Sequence, residues 1–263
     1  MSWRAKRGAI DMEYFFQMER LAVGYNGSPV IEGIEAVLKK GQILAIIGPN
    51  GSGKSTILKS IMKQLKTIGG IIRIGGNSLE EIRAAALSRQ AAVVLTERPK
   101  PELMTCEDVV AVGRYPYTGT LGILSYNDRE KICEALTLVN AFDIKDRSFS
   151  EVSDGQLQRV MLARAICQEP EIIVLDEPTS FLDIRYAVEI LDILRQMASE
   201  RGVTVIMSLH ELNFAKRVSD IVMCVKSGRV LYLDTPENIF TEKIISNLYD
   251  LPEGSYRELF GGL

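Results

Sequence analysis

The chain has one histidine, four cysteines and no long apolar run, and each shortage removes a class of function. Cys106, Cys133, Cys167 and Cys224 are scattered, without a Cys-x-x-Cys pair or a nearby histidine, so the spacing writes neither a zinc site nor a disulfide framework. They read as reduced thiols. The longest apolar stretches, such as Ile43 to Ile47 and Ala91 to Leu95, fall far short of the roughly 20 residues of a spanning helix. Arg4, Lys6 and Arg7 are followed by Asp11 and Glu13 with no apolar segment between, which is not a secretory signal; a cytosolic protein is expected. Basic excess is missing too. With 31 Lys plus Arg against 34 Asp plus Glu, the net charge is −3, and nothing is available to neutralise a phosphodiester backbone, so no nucleic-acid partner is expected.

What is present is a globular balance, 46% hydrophobic and 25% charged over 263 residues, enough for one large domain or two small ones. Residues 13 to 38 alternate apolar and polar positions, as half-buried antiparallel strands do, around a turn at Asn26-Gly27-Ser28-Pro29. Later strands are short and almost wholly apolar: Ile43 to Ile47, Ala92 to Leu95, Ile172 to Leu175 and Val203 to Met207. Such runs suit a parallel sheet covered on both faces, the core of an α/β nucleotide fold. From about 98 to 168 the pattern turns helical. Asn127 with Glu130, and Ser153 with Gln156, read as capping-box starts. Ile221 to Val225 and Arg229 to Leu233 read as a hairpin, after which 30 residues are expected to form one or two helices.

Gly48-Pro49-Asn50-Gly51-Ser52-Gly53-Lys54-Ser55 fits G-x-x-x-x-G-K-[ST] between the strand ending at Ile47 and an apolar helix expected from Thr56 to Leu65. The glycines let successive N–H groups converge on phosphate oxygens, and the helix adds its positive end. Lys54 is expected on the β- and γ-phosphates and Ser55 on Mg²⁺. At the end of Ile172 to Leu175 stand Asp176 and Glu177. Asp176 suits Mg²⁺ or its water shell, and Glu177 suits the proton of an attacking water.

Together these residues resemble the ATP-binding subunit of an ABC transporter over residues 13 to 235. The resemblance implies an α/β P-loop NTPase (RecA-like) core at 13–97 and 169–233, with an N-terminal antiparallel β-subdomain, an inserted helical signature subdomain at 98–168 and a helical tail at 234–263. It makes Val152-Ser153-Asp154-Gly155-Gln156 the signature, usually Leu-Ser-Gly-Gly-Gln, with Ser153, Gly155 and Gln156 at the γ-phosphate bound to a second subunit. Two copies, head to tail, then enclose two ATP molecules. Asp154 departs from the pattern and stands near a polyphosphate. The resemblance also implies that His210 positions water, that Asp183 spans the dimer, that Tyr25 stacks on adenine, and that Asn50 and Thr56 belong to the phosphate site. The family's glutamine after the third strand is absent, and Thr96 or Glu97 stands where it supplies a metal ligand.

Val112-Gly113-Arg114-Tyr115-Pro116-Tyr117 resembles a Gly-Arg-x-Pro-[His/Tyr] stretch of importers for iron chelates, haem and cobalamin. That implies a permease in the membrane, docking at Thr96 to Arg98 and Gly113 to Tyr117. It also implies an extracytoplasmic solute-binding protein beyond the permease, and a peripheral place on the inner membrane face. Two other readings stay open on the residues alone. A soluble ABC ATPase of cofactor assembly shares every motif, and a binding module with little turnover fits the altered signature.

Overall fold

The computed structural model describes residues 13–95, 101, 103–119, 121–252 and 254–260. These form two compact units, one drawn from residues up to 81 and from 204 onward, the other from 82–203.

In the first unit, alternation sets the opening pair β1 (Phe16–Tyr25) and β2 (Ser28–Leu38), antiparallel, with Phe16, Met18, Leu21 and Val23 buried. Their turn is tighter than the sequence suggests. Asn26 and Gly27 alone make it, both left-handed (φ 51° and 77°), as the twist of a two-residue hairpin demands. Pro29 already lies in β2, tolerated because β2 is an edge strand. β4 (Thr67–Ile74) and β5 (Asn77–Ser78) complete a sheet of order β2-β1-β4-β5. All five residues of β3 (Ile43–Ile47) are buried, and each Ile or Leu so buried contributes about 1.5–3 kcal/mol relative to exposure. α1 (Lys54–Ile61) follows, ending four residues earlier than Leu65 because Lys63 turns left-handed at φ 57°.

The second unit holds α2 (Ala84–Gln90), β6 (Ala91–Val94), α3 (Cys106–Ala111), α4 (Tyr126–Leu138), α5 (Asp154–Cys167), β7 (Ile172–Leu175) and α6 (Ile184–Arg201). β6 and β7 are parallel, with Val94 opposite Leu175. α3 and α4 pack on α5. The capping box expected at Ser153 and Gln156 is present on α5. That at Asn127 and Glu130 is corrected: α4 is capped by Ser125 with Asp128, two residues earlier. Asp is as able as Glu to reach back to the cap N–H, and Arg114 holds this one from its other side.

The first unit then resumes with β8 (Thr204–Ser208), α7 (Leu212–Val218), β9 (Ile221–Lys226), β10 (Arg229–Asp234), α8 (Pro236–Ile239), α9 (Glu242–Tyr249) and α10 (Ser255–Phe260). The tail is thus three short helices, not one or two. Within this unit the strand order is β10-β9-β3-β8, with β3 parallel to both neighbours and β10 antiparallel at the edge. Parallel strands after a helix, an antiparallel N-terminal sheet and an inserted helical region are the expected α/β class. No described helix is long and apolar enough to cross a membrane.

Candidate nucleotide site

In the first unit the register of β3 and β8 pairs Ile46 with Ser208. Gly48 and His210 each follow two residues later, so the loop and the half-buried histidine leave the same edge of adjacent parallel strands, where ligands bind α/β sheets. The Leu209 N–H donates to the Ile46 carbonyl at 3.1 Å and carries the pairing to the histidine's neighbour.

Gly48 is fixed by contact. A Cβ there would stand 2.0 Å from the Val225 carbonyl oxygen, and its φ of 149° excludes other residues as well. Gly51 and Gly53 take φ of 75° and 107°, which curls the backbone around the start of α1. That start has no side-chain cap and no acidic residue in its first turn, so its N–H groups and positive dipole end suit an anion. Lys54 is buried, its Nζ donating to the carbonyls of Gly48 (2.8 Å) and Pro49 (3.1 Å), which aims the ammonium back across the loop. Ser52 Oγ is buried without a hydrogen-bond partner among the described residues, an unmet polar atom inside the cradle. Asn50 is exposed, Ser55 half-buried and Thr56 buried along the same turn. Tyr25 closes β1 with its ring 45% exposed, available for stacking.

In the second unit the Asp176 N–H donates to the Val94 carbonyl at 2.9 Å, placing Asp176 directly past β7 and burying it. Glu177 is left-handed at φ 50°, an uncommon conformation for glutamate that functional turns often hold. Ser180 Oγ donates to Glu177 Oε2 at 3.0 Å and orients it. That serine's part was not read from sequence; a hydroxyl three residues after the acid was the available signal. Asp183 caps α6, its Oδ1 accepting the Tyr186 N–H at 3.0 Å. Ser153 accepts the Gln156 N–H at 3.3 Å and Gln156 Oε1 accepts the Ser153 N–H at 3.0 Å. Ser153 and Asp154 are exposed while Gly155 is buried. Thr96 and Glu97 lie outside the described residues.

The residues fit ATP with Mg²⁺. An uncapped helix start, a glycine cradle and an unmet Ser52 hydroxyl suit phosphate. Among the described residues no group of three or more His, Cys, Asp or Glu could hold a metal ion by itself.

The Gly-Arg-x-Pro-Tyr stretch is a 3₁₀ turn over Val112–Tyr117. Gly113 lies against α5, where a Cβ would stand 2.3 Å from the Arg164 carbonyl oxygen. Arg114 is 2% exposed and donates to Asp128 Oδ1 (2.9 Å), the Cys167 carbonyl (2.7 Å) and Glu169 Oε2 (2.9 Å). These bonds hold its guanidinium charged despite burial, and the Ser125 hydroxyl and Arg114 keep Asp128 below the usual carboxylate range. The Tyr117 ring lies under Arg114 at 4.1 Å, with Arg89 at 5.4 Å, and its hydroxyl donates to the Gln168 carbonyl at 2.9 Å. Beside this clamp, burial pushes the Cys167 thiol up to about 12, so it stays an inert thiol.

Residues 31–180 match the family described as ABC transporter. An uncharacterised ABC transporter ATP-binding protein of Methanocaldococcus jannaschii is 42% identical over 92% of this chain and 84% of its own length. The iron(3+)-hydroxamate import ATP-binding protein FhuC of Bacillus subtilis is 32% identical over 89% of this chain and 87% of its own. Among solved structures, a dimeric bacterial ABC transporter cassette superposes with a TM-score of 0.75 at 25% identity, covering 84% of this chain and 98% of that one. With that family match over more than half of the chain and a relative 42% identical over 92% of it, the chain belongs to the ABC transporter family, as an ATP-binding cassette with ATPase activity.

Proposed function

We propose that this cassette powers an importer of iron(III) chelates, haem or cobalamin from the cytoplasmic face of a membrane, docked on permease subunits that receive solute from an extracytoplasmic binding protein. The observation that carries the ATPase reading is the shared edge of β3 and β8, which sends the P-loop and His210 out together. The importer class rests on similarity to FhuC and on the turn containing Arg114. The working unit in this reading is one cassette spanning 13–97, 98–168, 169–233 and the tail 234–263.

In this reading Lys54 and the N–H groups of Gly48 to Thr56, with Asn50, Gly51, Ser52 and Gly53, hold the β- and γ-phosphates, and Tyr25 stacks on adenine. Ser55 and Asp176 would hold Mg²⁺, with Thr96 or Glu97 replacing the usual glutamine, and a bound ion would supply charge neutralisation. Glu177 Oε1 or Oε2 takes the proton of the attacking water while His210 orients that water against the γ-phosphate. Ser153, Gly155 and Gln156 of a second copy meet that γ-phosphate from a helix start, and Asp183 crosses the same interface.

The test is co-expression with the native permease, reconstitution into vesicles and ATPase measured with iron(III) hydroxamate, haem or cobalamin delivered by the binding protein. Stimulation and uptake of one of them is the expected result. ATPase with no permease co-purifying, or stimulation only by an unrelated solute, overturns the importer class.

A further inference from the structure

Gly155 sits in the first turn of α5 and is buried, although the residues beside it at the helix mouth, Ser153 and Asp154, are exposed. What buries it is the Tyr186 ring. A Cβ on Gly155 would stand 3.0 Å from Tyr186 Cδ2, 3.3 Å from Cγ and 3.4 Å from Cε2, so the flat of the ring fills the space a side chain would take. Tyr186 belongs to the first turn of α6, and its own N–H is the one that Asp183 caps at 3.0 Å. The ring is held from the side as well. The Arg159 guanidinium lies 5.1 Å from its centroid and is itself anchored by Nη1 donating to the Asn140 carbonyl at 2.7 Å. Arg159 Nε is buried with no hydrogen-bond partner among the described residues, which leaves the π face as the group compensating that side of the cation. Arg185 adds a second cation at 6.0 Å.

We infer that Tyr186 is a positioning residue that locks the start of the signature helix to the Asp183 turn, so that the two partner-facing segments of one subunit move as a single piece when two cassettes close on ATP. The inference rests on the reading that Ser153 and Gly155 face the partner's γ-phosphate. Tyr186 is not among the residues assigned to the phosphate cradle, so in this inference it acts on closure and turnover rather than on nucleotide binding. It also gives this chain its own reason for glycine at 155, because a methyl there has to displace, by a few tenths of an ångström, a ring that two cations hold in place.

The experiment is a double-mutant cycle on the full chain, with ATP-induced dimerisation read in a Glu177→Gln background and turnover read in the parent. Tyr186→Ala is expected to lower kcat about tenfold and raise the ATP concentration for half-dimerisation about tenfold, while the Kd of the single subunit for ATP moves less than about twofold. Tyr186→Phe, which keeps the ring and its cation contacts, is expected to restore both. Gly155→Ala is expected to impair dimerisation of the Glu177→Gln chain strongly, and much less when Tyr186→Ala is also present, since the clash is gone. If Tyr186→Ala unfolds, Tyr186→Leu, which fills space without a flat face, takes its place in the cycle. Additive effects of the two substitutions, or a Tyr186→Ala chain that dimerises and turns over like the parent, overturn the inference. Failure of the Glu177→Gln chain itself to dimerise with ATP overturns instead the sandwich reading on which it rests.

Discussion

A carboxylate that is to take a proton from water has to be aimed before the water arrives, and Glu177 is aimed by two devices: a left-handed backbone at φ 50° and the Ser180 hydroxyl 3.0 Å from Oε2. Glu177→Gln keeps size, backbone and the Ser180 bond but removes the base. Hydrolysis is expected to fall by about 100-fold or more with ATP affinity retained, and the chain to elute as a dimer in ATP. Lys54→Ala is the contrasting case. Its buried ammonium already spans the loop to Gly48 and Pro49, so its loss is expected to abolish nucleotide binding, and equilibrium titration with a fluorescent ATP analogue separates the two variants. These residues were legible in sequence because phosphate chemistry fixes their spacing along the chain. Ser180 as an orienter and Tyr186 as a platform were not, because each acts through a neighbour brought to it by a turn or a second helix, which periodicity does not report.

At the scale of elements, helix starts decide what each helix does. α1 begins without a cap and faces a phosphate loop, whereas α3, α4 and α5 begin with closed capping boxes. Strand positions were read to within a residue, since an apolar run between turns allows little else. β4 and β5 escaped because Gly69 and Gly70 break the alternation, and the α4 cap was misplaced because Asn127-Glu130 and Ser125-Asp128 spell the same pattern two residues apart. In α5 the first-turn Asp154 adds negative charge to the exposed mouth that the proposed sandwich turns toward a phosphate. Asp154→Gly is expected to tighten the ATP-bound Glu177→Gln dimer a few-fold at low salt, with the difference shrinking at high salt, and to cost under about 1 kcal/mol of fold stability. Weaker dimerisation at low salt refutes the repulsion. Arg114 joins the 3₁₀ turn to α4 and to the end of α5, and Arg114→Ala leaves Asp128 buried with only the Ser125 hydroxyl and N–H donating to it and no cation beside it. A loss of about 3–5 kcal/mol is expected, seen as a fall in Tm of roughly 10 °C. Asp128 lies below its unfolded value in the native chain, so the unfolded chain binds the proton first and this stabilisation is lost as pH falls through the native value. With one cause of that depression removed, acid unfolding of the Arg114→Ala chain is expected to begin at higher pH.

For the molecule as a whole, the question is which exposed features are free to meet a permease, and side-chain contacts divide a pair that the sequence treats alike. Tyr115 and Tyr117 flank Pro116 in one turn, and both were expected at the docking face together with Thr96 to Arg98, which lie outside the described residues. Tyr117, although 36% exposed, is tied down: its ring is stacked on Arg114, its hydroxyl donates to the Gln168 carbonyl, and Arg89 donates to the Pro116 carbonyl at 2.9 Å alongside. Tyr115 is 62% exposed on the same turn. An exposed aromatic on a backbone held by a buried guanidinium is a rigid anchor, and such side chains carry a large share of interface energy when a partner covers them. Tyr115→Ala is therefore expected to leave the Tm and the ATPase of the isolated cassette unchanged while weakening permease binding about tenfold or more and reducing uptake in reconstituted vesicles in step. Tyr117→Ala is expected to behave in the opposite order, lowering Tm first and impairing uptake only through the loosened turn. Paired measurement of Tm, soluble ATPase and uptake for both variants decides the matter. Equal losses of Tm in the two chains, or uptake untouched by Tyr115→Ala, mean that the permease is held by other surfaces and that this turn serves only to clamp the helices around α5.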